Sequence, residues 1–387
     1  MSFNKKEIVY TDKEAFINRK KELNELINWI NRKPNEILFI YGPKSSGKTT
    51  LLMKFIDLHL NKKDFNIKHF NLRKVLIANY IDFIQAFFEV DYSKLPQEVK
   101  QKSEYSLKVF KLSKEIKKSL ENKTLDPLVV MEIELKKVVK KGKRPIIIID
   151  ELQALEDIYM NGQRELLKEL FNFFVAMTKE SHLCHVIIAS SDGYFLKRIY
   201  EDSKLSKTSD FLAVDYLNES DTKYWLHHLD SESDITTFQL SDSQIDQIWK
   251  YFGGSIWEIS NLLGKLMPYS KNNEVADEDL NEMIQKKIEE NCERFTHYSG
   301  FSEQKRQLLE EIFICCQSKK HFKPRDIRHL INNKIFDEKN LSHELNRLVQ
   351  LNYLAFYPTK STWQLQGNSM FYGLQQFVKS IESENNN

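Results

Sequence analysis

The sequence predicts an α/β chain in which a parallel sheet carries helices on both faces, followed by a helical lid and a C-terminal winged helix-turn-helix. Three observations predict this. A glycine-containing loop, Gly42-Pro43-Lys44-Ser45-Ser46-Gly47-Lys48-Thr49, lies between the apolar run Glu36 to Tyr41 and the helical pattern Thr50 to Ile56. Four consecutive isoleucines, Ile146 to Ile149, read as a strand buried on both faces and run into Asp150-Glu151. After Tyr216 strand patterns give way to helical periodicity, until a hairpin signal near the C-terminal end.

In chain order, Leu23, Leu26, Ile27 and Ile30 have the spacing of a helix that Pro34 closes. The loop-bearing strand follows, and Phe65 to Leu72 reads as a second strand. Asp82 to Arg144 reads as helix-rich. Its part from Asp91 to Arg144 holds 15 Lys/Arg against 8 Asp/Glu, a net of 15 − 8 = +7. That is either a set of solvated helix faces or a contact surface for an acidic partner. Gln163 to Met177 reads as an amphipathic helix, His185 to Ser191 as another buried strand and Phe211 to Val214 as the last strand of the sheet.

Asn218 to Asp221 reads as a helix start, and Ser241 with Gln244 as a capping box. Phe252-Gly253-Gly254-Ser255 ends one helix and begins the next, Ile256 to Leu266. Pro268 to Asp277 reads as an irregular linker before a helix over Asp279 to Arg294. Ser302 to Cys316, Pro324 to Ile331 and Leu341 to Leu351 read as three helices. Tyr353 to Tyr357 and Thr362 to Leu365 flank Pro358 to Ser361 as a hairpin, which completes a winged helix-turn-helix. Lys339, Asn340, Ser342, His343, Asn346 and Arg347 of its third helix are candidates to face a major groove. The segment from Gly300 to Leu365 has 11 Lys/Arg against 7 Asp/Glu, or +4, which is modest against the phosphate charge of a duplex. The expected layout is therefore 1–215 for the core, 216–297 for the lid, 298–378 for the winged helix and 379–387 for a disordered tail.

Composition limits the alternatives. A net charge of +2 argues for no global field toward nucleic acid or membrane. Cys184, Cys292, Cys315 and Cys316 have neither disulfide nor zinc spacing, which fits a reducing compartment. No apolar run approaches a membrane span, and Met1 to Arg19 is too polar for a signal peptide. The expectation is a cytoplasmic protein without membrane contact.

The chemistry follows from the loop. Gly42 and Gly47 permit tight turns that aim successive amides, from Lys44, Ser45 and Ser46 through Thr49 and Thr50, around one concavity at a helix N-terminus, with Pro43, which has no N–H, as part of the same loop. Lys48 supplies a point charge for the outer phosphates, and Thr49 a hydroxyl for a magnesium ion. Asp150 and Glu151 stand at a strand's C-terminal end, where ligands bind in parallel sheets. Asp150 suits the metal and Glu151 suits polarising a water. Ser190 and Ser191, at the end of a neighbouring strand, are candidates to sense the terminal phosphate. The expected ligands are ATP and Mg2+, with Lys48 and Glu151 as catalytic residues.

With these segments in view, the chain resembles the archaeal ATPase family, a branch of the STAND and AAA+-like P-loop NTPases. Phe16-Ile17-Asn18-Arg19-Lys20-Lys21-Glu22-Leu23 resembles that family's opening F-x-N-R-x-x-E-L, which implies that Asn18 and Arg19 lie near the adenine. Asp150-Glu151-Leu152-Gln153 resembles its D-E-x-Q, and Phe252 to Ser255 its lid turn. Ile256 stands where relatives carry Pro, and Lys207, with Arg198 nearby, where they carry Arg. The resemblance implies an ATP-driven switch with core, lid and winged helix. Two other readings stay open: an ATP-licensed DNA-binding protein of initiator or transposition-helper type, and a nucleotide-gated scaffold for a protein partner with little turnover. Oligomer formation is open in all three.

Overall fold

The structure, a computed structural model, describes residues 15–90, 110–160, 164–201, 205 and 207–385. Five strands form one parallel sheet: β1 (Ile37–Tyr41), β2 (Phe65–Asn71), β5 (Arg144–Asp150), β8 (His185–Ala189) and β9 (Ser209–Ala213), in the order β2-β5-β8-β1-β9. Alternation along each strand divides the core in two. Phe39, Ile147, Ile149 and Ile188 point to one face, and Leu38, Ile40, Ile148 and Ile187 to the other. Helices α1 (Lys20–Ile30) and α2 (Lys48–His59) cover the second face through Leu26, Trp29, Leu51 and Phe55. The first face takes the helix Leu166–Val175, continued by a wider π-type turn, and the helix Gly193–Glu201.

The expected helix-rich region carries two short strands as well. Phe88–Val90 pairs in parallel with Phe110–Leu112, and Phe70, Phe87 and Phe110 stack around them. The helices Lys114–Glu121 and Pro127–Lys140 follow. Residues 91–109, which contribute to the basic count, lie outside the described residues.

Register sets the site. Asp150 pairs with Ala189, Ala189 with Ile40, and Tyr41 with Ala213. The backbone bonds Glu151 N to Ala189 O (2.8 Å) and Ser190 N to Ile40 O (3.0 Å) extend these ladders. Three strands therefore end level, and their following residues meet at one edge.

The lid packs the helices Glu219–His227, Asp242–Phe252 and Ile256–Leu266 around Trp225, Ile248 and Leu263. Ala15 and Ile17 join this cluster. The Ser241–Gln244 capping box is present. A Cβ on Gly254 would lie 2.0 Å from Leu217 O, so the lid turn requires glycine there. The last lid helix runs Asp277–Ser299, longer at both ends than expected.

Beyond it, Glu303–Ser318 and Glu338–Gln350 form helices. The expected second helix is a 3-10 turn, Pro324–Ile327, and a single helical turn, His329–Asn332. Strands β10 (Leu354–Tyr357) and β11 (Thr362–Leu365) pair antiparallel. The segment 380–385, read as part of a disordered tail, instead completes a helix over Asn368–Asn385. Met370, Leu374, Phe377, Val378 and Ile381 recur at helical spacing and bury against the lid's last helix, which outweighs the polar composition of the end.

Candidate functional site

The site is built where β1 turns into α2. Gly42 has φ 152°, and a Cβ there would sit 2.0 Å from Val214 O, so the chain passes only as glycine. Ser45 and Gly47 have left-handed φ values of 62° and 89°, which curl the amides into a concavity. The first turn of α2 contains no acidic residue, so its positive end stays available to an anion. A cavity of about 370 Å³ opens between this turn and the lid. Lys44, Lys48 and Thr49 line one end, and Ala15, Phe16, Ile235, Trp257 and Leu263 the other. The lining is cationic and rich in amides along the loop and mostly apolar along the lid helices and the segment 15–17.

Lys48 is buried, and its ammonium donates to Pro43 O (2.7 Å) and Gly42 O (3.0 Å). Burial pushes its pKa down to about 8, against the pull of Glu151 and Asp150. Thr49 Oγ1 donates to Asp150 Oδ2 at 2.7 Å, across 101 positions of sequence. Burial raises the Asp150 carboxyl, and the Thr49 bond partly offsets it. Two hard oxygens beside an anion cradle fit a magnesium ion, which takes one or two protein oxygens and completes its shell with phosphate and water. Among the described residues no group of three or more His, Cys, Asp or Glu is placed to hold a metal ion.

Glu151 has a left-handed φ of 65° and is buried. Both its oxygens are engaged. Oε1 accepts from Arg73 Nη2 and from Ser191 Oγ (3.0 Å), and Oε2 accepts from Gln153 Nε2. Ser190 Oγ donates to Gln153 Oε1 at 3.0 Å. Ser190 and Ser191 thus hold the residues around Glu151 and do not line the cavity.

Arg73 escaped the sequence reading. It lies two residues beyond the end of β2, lines the cavity and pairs with Glu151. The rule that ligands gather at strand C-termini, applied to the second strand, was the signal available. Arg198 and Lys207, the expected stand-ins for a family arginine, line a groove elsewhere, and Arg198 pairs with Glu156 at 2.8 Å.

Arg19 lines the cavity and fastens three elements, donating to Glu22 Oε1, Ser46 O and Asp215 O, each at 2.8 Å. Asn18 instead donates to Asp221 Oδ1 of the lid (2.8 Å). Thr50 lines the cavity beside Thr49, and Ile256 approaches Gly47.

A second set of contacts comes from the C-terminal hairpin. Lys44 N donates to Gln366 Oε1 at 3.1 Å, and Tyr216 OH donates to Lys44 O at 3.1 Å. Tyr357 OH donates to Asp215 Oδ1 (2.9 Å), and the Tyr41 and Thr359 hydroxyls share a 2.7 Å hydrogen bond. Ala355 and Tyr357 belong to the sheet's core while Leu354 and Phe356 belong to the C-terminal one, so the hairpin is buried on both faces. On the third helix, Lys339, Asn340, His343 and Arg347 are exposed and Ser342 and Asn346 half-buried, with Asp337 and Glu338 among them.

Residues 16–262 match a family described as an ATPase domain predominantly from Archaea. An ATP-binding protein of Methanocaldococcus jannaschii is 34% identical over 328 residues, 84% of this chain and 85% of that protein. A second from that organism is 30% identical over 362 residues, 89% of this chain and 91% of its own. A third is 42% identical over 209 residues, and there the match spans 54% of this chain and 61% of the relative. Among solved structures, the Walker-type ATPase PABY2304 of Pyrococcus abyssi gives a TM-score of 0.60 at 16% identity, covering 94% of this chain and 98% of that one. The ORC2 protein of Aeropyrum pernix gives 0.54 at 11% identity, covering 97% of each. At these identities the structural likeness speaks for the fold alone. The family match and the long alignments decide membership: the chain belongs to the family of ATPase domains found predominantly in Archaea.

Proposed function

We propose that this chain is an ATP-binding and ATP-hydrolysing switch, in which occupancy of the loop Gly42–Thr49 governs how the C-terminal helices and hairpin are held. The observation that carries the reading is the bond from Lys44 N to Gln366 Oε1, because it ties a loop amide directly to the hairpin. A phosphate entering the loop competes for the same region. The relatives named as ATP-binding proteins support ATP as the nucleotide.

The residues take these roles. The loop amides and Lys48 grip the outer phosphates, Lys48 exchanging its two carbonyl partners for phosphate oxygen. The apolar end of the cavity takes the base, with Arg19 bracing the loop below it. Thr49 and Asp150 hold magnesium, which when bound neutralises charge on the phosphates. Glu151 orients the attacking water. In the arrangement described, Oε1 accepts two hydrogen bonds and Oε2 one, which leaves a water a single acceptor position, on Oε2. Arg73 is drawn from Glu151 toward the more highly charged terminal phosphate, which vacates an acceptor position on Oε1 and sets a cation beside the phosphoryl group as it passes to water.

The three C-terminal helices and the hairpin have the order of a winged helix. The duplex-binding alternative draws its support from the fold shared with an ORC2 protein. It requires the hairpin to leave its buried place, and both signs of charge lie along the third helix. The switch acting on a protein partner is the better supported reading.

Hydrogen exchange of the full chain tests this. With magnesium and a non-hydrolysable ATP analogue, amides of 354–366 exchange about ten-fold faster than in the free protein, as loss of roughly 1.4 kcal/mol of local protection predicts. Gln366→Ala raises exchange in the same segment without nucleotide. Unchanged protection in both sinks the switch.

A further inference from the structure

Gly264 lines the nucleotide cavity from inside the lid helix Ile256–Leu266. Glycine is a poor helix former, so an interior one calls for a reason. The ordinary reasons do not apply to it. Its backbone is not in the left-handed region, unlike that of Gly253 in the lid turn. It does not terminate the helix, which runs on to Leu266 and into the 3-10 turn Met267–Tyr269. Nothing packs closely against it, since a Cβ built there meets no atom within 4 Å. What the missing side chain leaves is room, and that room opens onto the cavity. Ser260, one turn earlier on the same face, also lines the cavity, and Trp257, Leu263 and Met267 flank the pair with bulk.

A second lid residue on this cavity has a hydrogen to give. Ser233 closes the short helix Leu229–Ser233, is 6% exposed and lines the cavity. The fully buried Trp225 donates its indole Nε1–H to Ser233 Oγ at 2.7 Å. An indole N–H can only donate, so the serine oxygen is the acceptor in that bond. The hydroxyl's own hydrogen has no acceptor among the described residues, and a buried donor left unmatched is costly. Ile235 and Leu263, which lie beside Ser233 and Gly264 in sequence, line the same cavity and share one apolar cluster, so the two residues border one compartment.

We propose that Ser233 and Gly264 read the base of the nucleotide: the base lies in the room over Gly264, and one of its ring nitrogens accepts from Ser233 Oγ. This rests on the reading of the cavity as an ATP site. The chemistry favours adenine. Its unsubstituted ring nitrogens accept, which suits a hydroxyl with a hydrogen to give. Guanine brings one more N–H hydrogen than adenine, and buried donors need acceptors. A carboxylate would meet that need, and among the described residues neither Asp nor Glu lines this cavity.

The test titrates the full chain, with magnesium, against ATP, GTP and inorganic tripolyphosphate. Wild type is expected to bind ATP at least ~10-fold more tightly than GTP. Gly264→Leu fills the room, so ATP affinity falls at least ~10-fold while tripolyphosphate binds as before. Leucine favours the helix, so this variant melts no lower than wild type. Ser233→Ala removes the donor, and the preference for ATP over GTP falls about 3- to 10-fold, the usual net contribution of one hydrogen bond. That variant also strips Trp225 of its acceptor, so unchanged tripolyphosphate binding is the check that its loop and fold are intact. Equal wild-type affinity for ATP and GTP, wild-type ATP affinity in Gly264→Leu, or an unchanged preference in Ser233→Ala overturns the proposal and leaves the ATP site standing. A wild type that binds no ATP overturns both.

Discussion

The loop between Gly42 and Thr49 is gripped from two sides by different physics. On the acidic side, Glu151, Arg73, Ser191 and Gln153 form a charged cluster around one carboxylate. On the C-terminal side, Gln366, Tyr216 and Tyr357 make mostly neutral hydrogen bonds, and burial pushes both tyrosine hydroxyls well above their ordinary titration range. The first side is held by charges, the second by neutral hydrogen bonds in a drier setting. On the proposed reading, the first would feel a polyphosphate's charge and the second would carry the movement.

Substitutions can separate the two sides. The largest effect is expected from Glu151→Gln, which removes the carboxylate proposed to orient water but keeps its shape. ATP turnover should fall ~100-fold or more while affinity holds, the usual contribution of a positioned base being about 10² to 10⁴. Turnover near wild type would move the chemistry away from Glu151. Next, Lys48→Met removes the charge-assisted bonds to phosphate, and calorimetry should find ATP affinity lower by ~100-fold. If hydrogen exchange of the hairpin still responded fully to saturating ATP in that variant, the two sides would be coupled by the amides alone.

Arg73→Ala sharpens the comparison. Its cation is the group placed to distinguish ATP from ADP on the acidic side, so the ratio of the two affinities should fall about ten-fold. An unchanged ratio with faster turnover would make Arg73 a restraint on Glu151 and nothing more.

The smallest effect lies on the C-terminal side. Burial raises the Glu258 carboxyl above the ordinary 4.5, and Ser369 Oγ, at 2.8 Å, partly opposes this. A carboxyl whose folded pKa is raised binds its proton more tightly in the folded state. Its stabilising contribution is present at low pH and is lost as pH rises from 4.5 through the raised value. Glu258→Gln should remove that slope, and its melting temperature relative to wild type should grow by roughly 2–4 °C per kcal/mol across the window. Parallel pH profiles for the two proteins would show that the junction is wetter than its burial implies.

Much of the acidic side was legible in the chain. The glycines, Lys48 and Thr49 are contiguous, and each is fixed by local backbone geometry or by the charge of one ligand. Asp150 and Glu151 follow a run of isoleucines that suits only a buried strand. Arg73 was legible only as a residue following a strand's C-terminal end; that this end lies beside Glu151 is decided by the order β2-β5-β8-β1-β9. Ser190 and Ser191 do follow the neighbouring strand at that edge, where they bond Gln153 and Glu151.

The C-terminal side was legible only as parts. Alternation in 353–365 indicates a hairpin with two apolar faces, and this is what its burial between two cores requires. Which surfaces cover those faces is not written locally, since apolar surface is non-directional and accepts any dry partner. The polar end was misread for a related reason: five apolar residues at helical spacing decide its helix only once the lid's last helix is there to receive them.

By itself, then, the sequence pointed to the loop Gly42–Thr49 with its lysine and hydroxyl, and to the acid pair, because the loop is one contiguous stretch and the acids directly follow one strand. Tertiary structure alone decided that Lys44 and Gln366, 322 positions apart, share a hydrogen bond, and that Arg73 meets Glu151. Such contacts depend on strand order and on the packing of whole layers, which no stretch of chain specifies within its own length.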